Sequence, residues 1–335
     1  AVLTGNASEI IINGGMKIDV TGKYDATTHA NGTVINKYLA GGGVYALQLI
    51  AGGTFIHNDG LVHVTGTGGY SIVIEGLSGS DVSGTDANAL HDLKVTLNSI
   101  SNFVKLDPVP SSNGDTMIIT GDLDIVEGKV HGNSVSDNLT VNGDVTVRDG
   151  AQLSESTSVS GAMTFGSLDI QSGGTYIATS GTTTVKSRTS GGYSWYAPTT
   201  GSTFTHNNGT VKFTVEDWGG ANETYVQGTN FYNLEFAADT AAMEFRYDDL
   251  TDNSGLTVLN NLTITDGKVR FNQGGDSVTV HGITKMVAGQ YGNTGTAPSG
   301  VHNYNGGVEI HAGTWKVTSG TCNMQSIRKL GGTLA

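Results

Sequence analysis

Gly52-Gly53-Thr54-Phe55-Ile56-His57-Asn58-Asp59-Gly60-Leu61-Val62 returns later in the chain as Gly201-Ser202-Thr203-Phe204-Thr205-His206-Asn207-Asn208-Gly209-Thr210-Val211, an offset of 149 (203 − 54). The correspondence continues downstream in the same order. Leu90-His91-Asp92-Leu93-Lys94-Val95 matches Phe231-Tyr232-Asn233-Leu234-Glu235-Phe236, offset 141 (231 − 90). Leu123–Val130 then matches Leu262–Val269, and Gly174-Thr175-Tyr176 matches Gly313-Thr314-Trp315, both at offset 139 (262 − 123; 313 − 174). Self-similarity at a near-constant period is the mark of a repeat architecture, here a tandem duplication of about 140 residues.

The duplication sets the expected organisation. Gly52-Gly53-Thr54-Phe55, Gly201-Ser202-Thr203-Phe204 and Gly331-Gly332-Thr333-Leu334 read as three starts of one unit. Residues 1–51 are then the end of a preceding unit, 52–200 and 201–330 two full units, and 331–335 the start of another. A segment of a longer array is the expectation.

Within each unit the pattern is β. Leu262–Ile264, Val269–Phe271, Ser277–Val280 and Thr314–Val317 alternate at period two and are rich in β-branched or aromatic residues. Gly, Asn, Asp and Ser clusters between them supply positive φ and side-chain-to-backbone turns. Only Ala237–Arg246, with its four alanines, reads as a short helix or an insertion. The expected fold is all-β: a parallel β-helix or solenoid built from the tandem units. The alternative is a chain of β-sandwich domains, in which Asp266-Gly267 would turn a hairpin.

Composition agrees. The 335 residues include 50 glycines, four prolines and only 14% charged residues, against roughly 25% in an ordinary globular domain. Stacked strands bury a narrow core that needs little hydrophobic mass per strand. The net charge of −13 repels phosphate backbones, which argues against nucleic-acid binding. No apolar run reaches the ~18–20 residues of a membrane helix, so no membrane insertion is expected. Cys322 is the single cysteine, which excludes an intrachain disulfide framework and reads as a small buried apolar residue.

Chemistry-bearing motifs are few. A phosphate-binding G-x-x-x-x-G-K-[ST] loop, a G-x-S-x-G elbow and an H-E-x-x-H pair are all missing. Glu244, Arg246, Asp248, Asp249 and Asp252 form the one local carboxylate cluster. It reads as a solvated loop, with a calcium site at Asp248, Asp249 and Asp252 as the metal alternative and sugar cleavage behind both. Calcium is thus the one cofactor the sequence suggests. Tyr193, Trp195 and Tyr196 read first as an aromatic cluster that caps a core or fills a loop, and alternatively as faces suited to stacking on a glycan or to a protein interface. His57 and His206 lie two residues after Phe55 and Phe204, on the same strand face. They read either as a repeated ligand site or as a structural ladder of Phe55, His57, Asn58, Phe204, His206 and Asn207. Recurrence in one local context favours structure.

Gly201–Phe213, with its Thr-Phe-Thr-His-Asn-Asn-Gly-Thr-Val core, and Phe231–Phe236 together resemble the Gly/Thr/Asn-rich β-repeat proteins of tailed-phage virions and of long bacterial surface or secreted proteins. The resemblance covers most of residues 52–335 and is one of repeat phrase. It also implies a rigid fibre, spike or scaffold rather than an enzyme, at a virion or the cell exterior. The implied partners are copies of itself or other structural proteins of the same assembly, with surface glycans as the alternative.

Overall fold

The computed structural model describes residues 2–38, 44–67, 71–77, 88–108, 115–132, 137–154, 160–186, 192–198, 201–214, 223–228, 230–239, 242–247, 255–271, 276–292, 300–317 and 319–335. Among these residues the protein is all-β, without a helix. Pairing between the described strands is parallel throughout.

The hairpin at Asp266-Gly267 does not form. Leu262–Asp266 pairs with Asn233–Ala237 and Thr284–Met286, whereas Lys268–Phe271 pairs with Glu244–Tyr247 and Gln290–Tyr291. Gly267, at φ +89°, is a corner between two faces, and Gly128, at φ +93°, is its counterpart. A side chain at Gly267 would stand 2.7 Å from the Ala238 Cβ, and one at Gly128 2.6 Å from the Leu97 Cβ. Only glycine satisfies both the dihedral and the approach.

The described residues of Ala237–Arg246 are not helical either. The strand Asn233–Ala237 leads into it and the strand Glu244–Tyr247 closes it. Phe236 and Phe245 are buried rungs of two ladders. Pairing on both sides outweighs the modest helix preference of the alanines.

The chain divides into two compact units. One comprises Ala1–Phe165, Ile170–Gly181 and Thr203–Thr205; the other comprises Gly166–Asp169, Thr182–Ser202 and His206–Ala335. In the first unit, Ile35, Val64, Val95, Ile125 and Val147 stand level on successive parallel strands, each 0% exposed. On another wall of that unit Val104, Val130, Leu153, Tyr176 and Phe204 follow one another in register. In the second unit the column is Phe213, Phe236, Ile264, Met286 and Ile310. Phe245, Val269, Tyr291 and Trp315 form a second, with Tyr291 and Trp315 stacked at 4.1 Å. Each fully buried aliphatic or aromatic side chain contributes about 1.5–3 kcal/mol.

Register makes these columns continuous. Leu93 lies beside Leu123, thirty residues on (123 − 93), so side chains of one kind stack on their own kind. The alternate, outward positions are mostly short polar residues, as in Asp92–Leu97 and Leu262–Asp266.

Candidate functional site

The outward face of the second unit carries a column of larger side chains. Tyr193 is level with Tyr225, Tyr225 with Arg246, and Arg246 with Arg270. The Tyr193 ring lies 5.6 Å from Tyr225 and 5.2 Å from Tyr196, and the Arg246 guanidinium covers Tyr225 at 5.9 Å. Arg246 Nε donates to Glu244 Oε1 at 3.0 Å, and Arg270 donates to Glu244 Oε2 at 2.9 Å. Both Glu244 oxygens therefore have guanidinium partners, and the geometry is that of a clamp rather than of an acid aimed at a substrate. Such a face of half-buried tyrosines beside arginines can stack on and hydrogen-bond to a polar, ring-shaped ligand.

Trp195 does not belong to that surface. It is 0% exposed and packs against Phe213 at 6.0 Å and Phe231 at 5.5 Å. The pairing shifts register between Tyr193 and Trp195, so Ser194 and Trp195 both face inward while Tyr193 and Tyr196 face outward. A bulge thus separates aromatics that strict alternation would place together.

Asp248, Asp249 and Asp252, the calcium candidates, lie outside the described residues. Cys322, expected to be buried, is only half-buried on the strand Cys322–Met324.

Two histidine turns share one geometry. His57 Nδ1 accepts the Asp59 N–H at 3.0 Å, and His206 Nδ1 accepts the Asn208 N–H at 3.0 Å. The residues inside the turns hold positive φ: Asn58 at 48° and Asp59 at 52°, Asn207 at 43° and Asn208 at 61°. Each imidazole stacks on a ring of the next row, His57 on His91 at 5.3 Å and His206 on Tyr232 at 5.5 Å. Phe55, two residues before its histidine, is wholly buried; Phe204 is half-buried and stacks on Tyr176 at 5.8 Å.

A further set, unnoticed in the sequence, runs along a corner. The Asp122 amide donates to Asp92 Oδ1 at 2.8 Å, and the Asp144 amide donates to Asp122 Oδ1 at 2.7 Å. In the second unit Asn261 donates to Asn233 Oδ1 at 3.3 Å, and Ile283 to Asn261 Oδ1 at 2.9 Å. The signal was present as Gly-Asp in Gly121-Asp122 and Gly143-Asp144. A Cβ at Gly143 would sit 2.1 Å from Asp122 Oδ1.

In the second unit His302 is 1% exposed. Its Nε2 faces the Asp276 carbonyl at 3.3 Å and its Nδ1 the Tyr304 hydroxyl at 3.3 Å. Burial pulls its pKa down to about 4, only partly opposed by the Asp276 carbonyl. In the first unit Asn36, Thr65, Thr67, Thr96, Asn98 and Glu127 line a shallow groove of about 220 Å³. Among the described residues no helix is long and apolar enough to cross a membrane.

Comparison with protein-family models, with curated proteins and with solved structures finds no match to this chain.

Proposed function

We propose that this chain is a structural β-repeat protein, its parallel ladders the walls of a β-solenoid built from tandem units of about 140 residues. In this reading it forms part of a virion appendage or an extracellular fibre, is not an enzyme, and associates with itself or with other structural proteins of the same assembly. One observation carries the reading: in both units the side chains level with one another form unbroken buried columns, from Ile35 to Val147 and from Phe213 to Ile310. Continuous backbone hydrogen bonding over such columns resists bending, which is what a scaffold requires.

Strands with one open edge supply association surfaces, because their unpaired N–H and C=O groups accept a further strand. The test is immunogold electron microscopy with antibody against residues 52–335, applied to cells and to purified particles from the source. Label along an extended appendage or filament is the expected result, and label confined to the cell interior would overturn the proposal.

The column Tyr193–Tyr225–Arg246 favours a second reading, a glycan-binding adhesin. A glycan array read with the wild type and Tyr225→Ala decides it. Binding lost in the variant supports the adhesin, and binding unchanged by the variant removes this face from the account.

A further inference from the structure

The two histidine turns differ in chemistry where they agree in geometry. The turn at His206 is completed by Asn208 and Tyr232, so its backbone bond, positive φ and ring stack need neither a carboxylate nor a second imidazole. The turn at His57 has the same bond and the same stack, but its partners are Asp59 and His91. The turn of the second unit shows that the fold does not require these two residue types.

Asp59 Oδ1 stands 3.6 Å from His57 Nδ1 and 3.7 Å from His91 Nδ1. One donor atom from each of the three side chains lies within 4.8 Å of the other two. A tetrahedral ion bound at about 2.1 Å sets its donors about 3.4 Å apart, so on binding the donors close in and the two imidazoles, stacked at 17° in this structure, turn their planes towards a common point. The side chain of His57 is 3% exposed, that of His91 28% and that of Asp59 75%. A buried imidazole thus anchors the site while its carboxylate side opens to water. Thr120 Oγ1 lies 3.0 Å from His91 Nδ1, the same nitrogen that faces Asp59, and is displaced when an ion binds there.

We propose that His57, Asp59 and His91 form a binding site for one divalent transition-metal ion, with zinc the reference case. Two imidazoles and one carboxylate suit a borderline cation, whereas calcium takes oxygen ligands alone. Binding takes His57 Nδ1 from the Asp59 amide and His91 Nδ1 from the Thr120 hydroxyl, exchanging two neutral hydrogen bonds for two metal–nitrogen bonds. The remaining coordination positions face solvent, where a water or a side chain of a neighbouring protein completes the shell. The site belongs to the first unit only, since Asn208 and Tyr232 supply no equivalent donors.

The internal comparison also provides variants that suit the turn. Isothermal titration of the full chain with zinc chloride should give one ion per chain. Asp59→Asn and His91→Tyr, which install the side chains of the second turn, should each weaken binding at least tenfold while leaving the melting temperature without metal nearly unchanged. Conversely, Asn208→Asp combined with Tyr232→His should raise the stoichiometry to two. Zinc binding that is absent from the wild type, or that survives the Asp59→Asn/His91→Tyr double variant, overturns the proposal. So does failure of the grafted second site to bind.

Discussion

Asp122 and Asp144 are tied side chain to backbone across successive parallel strands, the carboxylate of the first accepting the amide of the second at 2.7 Å. The same corner of the second unit uses an amide instead, Asn261 accepting from Ile283 at 2.9 Å. One geometry therefore serves with a charged rung and with a neutral one, and the electrostatic cost of the charge can be read by exchange. That cost is real for Asp122. Burial raises its pKa first, and the neighbouring Asp144 and Asp92 carboxylates add to the effect, while the Asp144 amide opposes it.

A raised carboxyl pKa means that the ionised form is penalised in the folded state at neutral pH. The penalty is relieved as pH falls through the folded value towards the unfolded one. Asp122→Asn should therefore raise the melting temperature at pH 7 only slightly, by about 1–2 °C, because the carboxyl is only partly withdrawn from water. The advantage of the variant should shrink between pH 7 and pH 4 in paired thermal scans.

Gly143→Ala tests the packing of the same corner. The new Cβ would stand 2.1 Å from Asp122 Oδ1 and 2.6 Å from the Gly121 carbonyl oxygen. A side chain can swing away, but the backbone cannot, so we expect a loss of about 1–3 kcal/mol in urea unfolding. Removing the Asp122 side chain as well should recover only part of it.

His302 gives a pH dependence of opposite sign. Its folded pKa of about 4 lies below the ordinary value of 6.5, so the unfolded chain binds the extra proton between those limits. Its contribution is fully present above pH 6.5 and is lost as pH falls to 4, on the order of 3 kcal/mol in total. An NMR titration should find this imidazole still neutral at pH 5, and its protonation there would contradict the assignment.

The aromatic residues separate core from surface. Trp195→Ala should cost about 3–5 kcal/mol, since the indole is wholly enclosed. Tyr225→Ala removes a half-exposed ring and should cost under about 1 kcal/mol. Urea midpoints of the two variants provide the comparison.

Much of this fold was legible in the sequence because a parallel ladder repeats its own requirements. The period-two pattern located Leu262–Ile264 and Val269–Phe271, and the His-Asn turns were visible as a phrase that recurs. Other features were less so. Asp266-Gly267 fits a hairpin as well as a corner, because a two-residue turn and a one-glycine corner use the same residues and only the partner strands decide between them. Trp195 could not be told apart from its tyrosine neighbours, because a bulge is invisible to strict alternation. The rungs at Asp92, Asp122 and Asp144 escaped because their bonds join strands 30 and 22 residues apart (122 − 92; 144 − 122). The metal-ligand trio was hidden similarly, with His91 remote in sequence from His57, although the exchange of Asp59 and His91 for Asn208 and Tyr232 between the two copies was there to be seen.

Every functional reading rests on parallel strands stacked in one fixed register, and engineered disulfides measure that directly. Thr257, Thr279, Asn303 and Asn323 stand level on four consecutive strands, Asn323 Nδ2 donating to Asn303 Oδ1 at 2.8 Å. Adjacent rungs lie about 4.8 Å apart, within disulfide reach, whereas second neighbours lie about 9.6 Å apart and beyond it. In a Cys322→Ser background, Thr257→Cys with Thr279→Cys should oxidise readily, and Thr257→Cys with Asn303→Cys should stay reduced. Equal oxidation of both pairs, or of the second pair alone, would contradict the account.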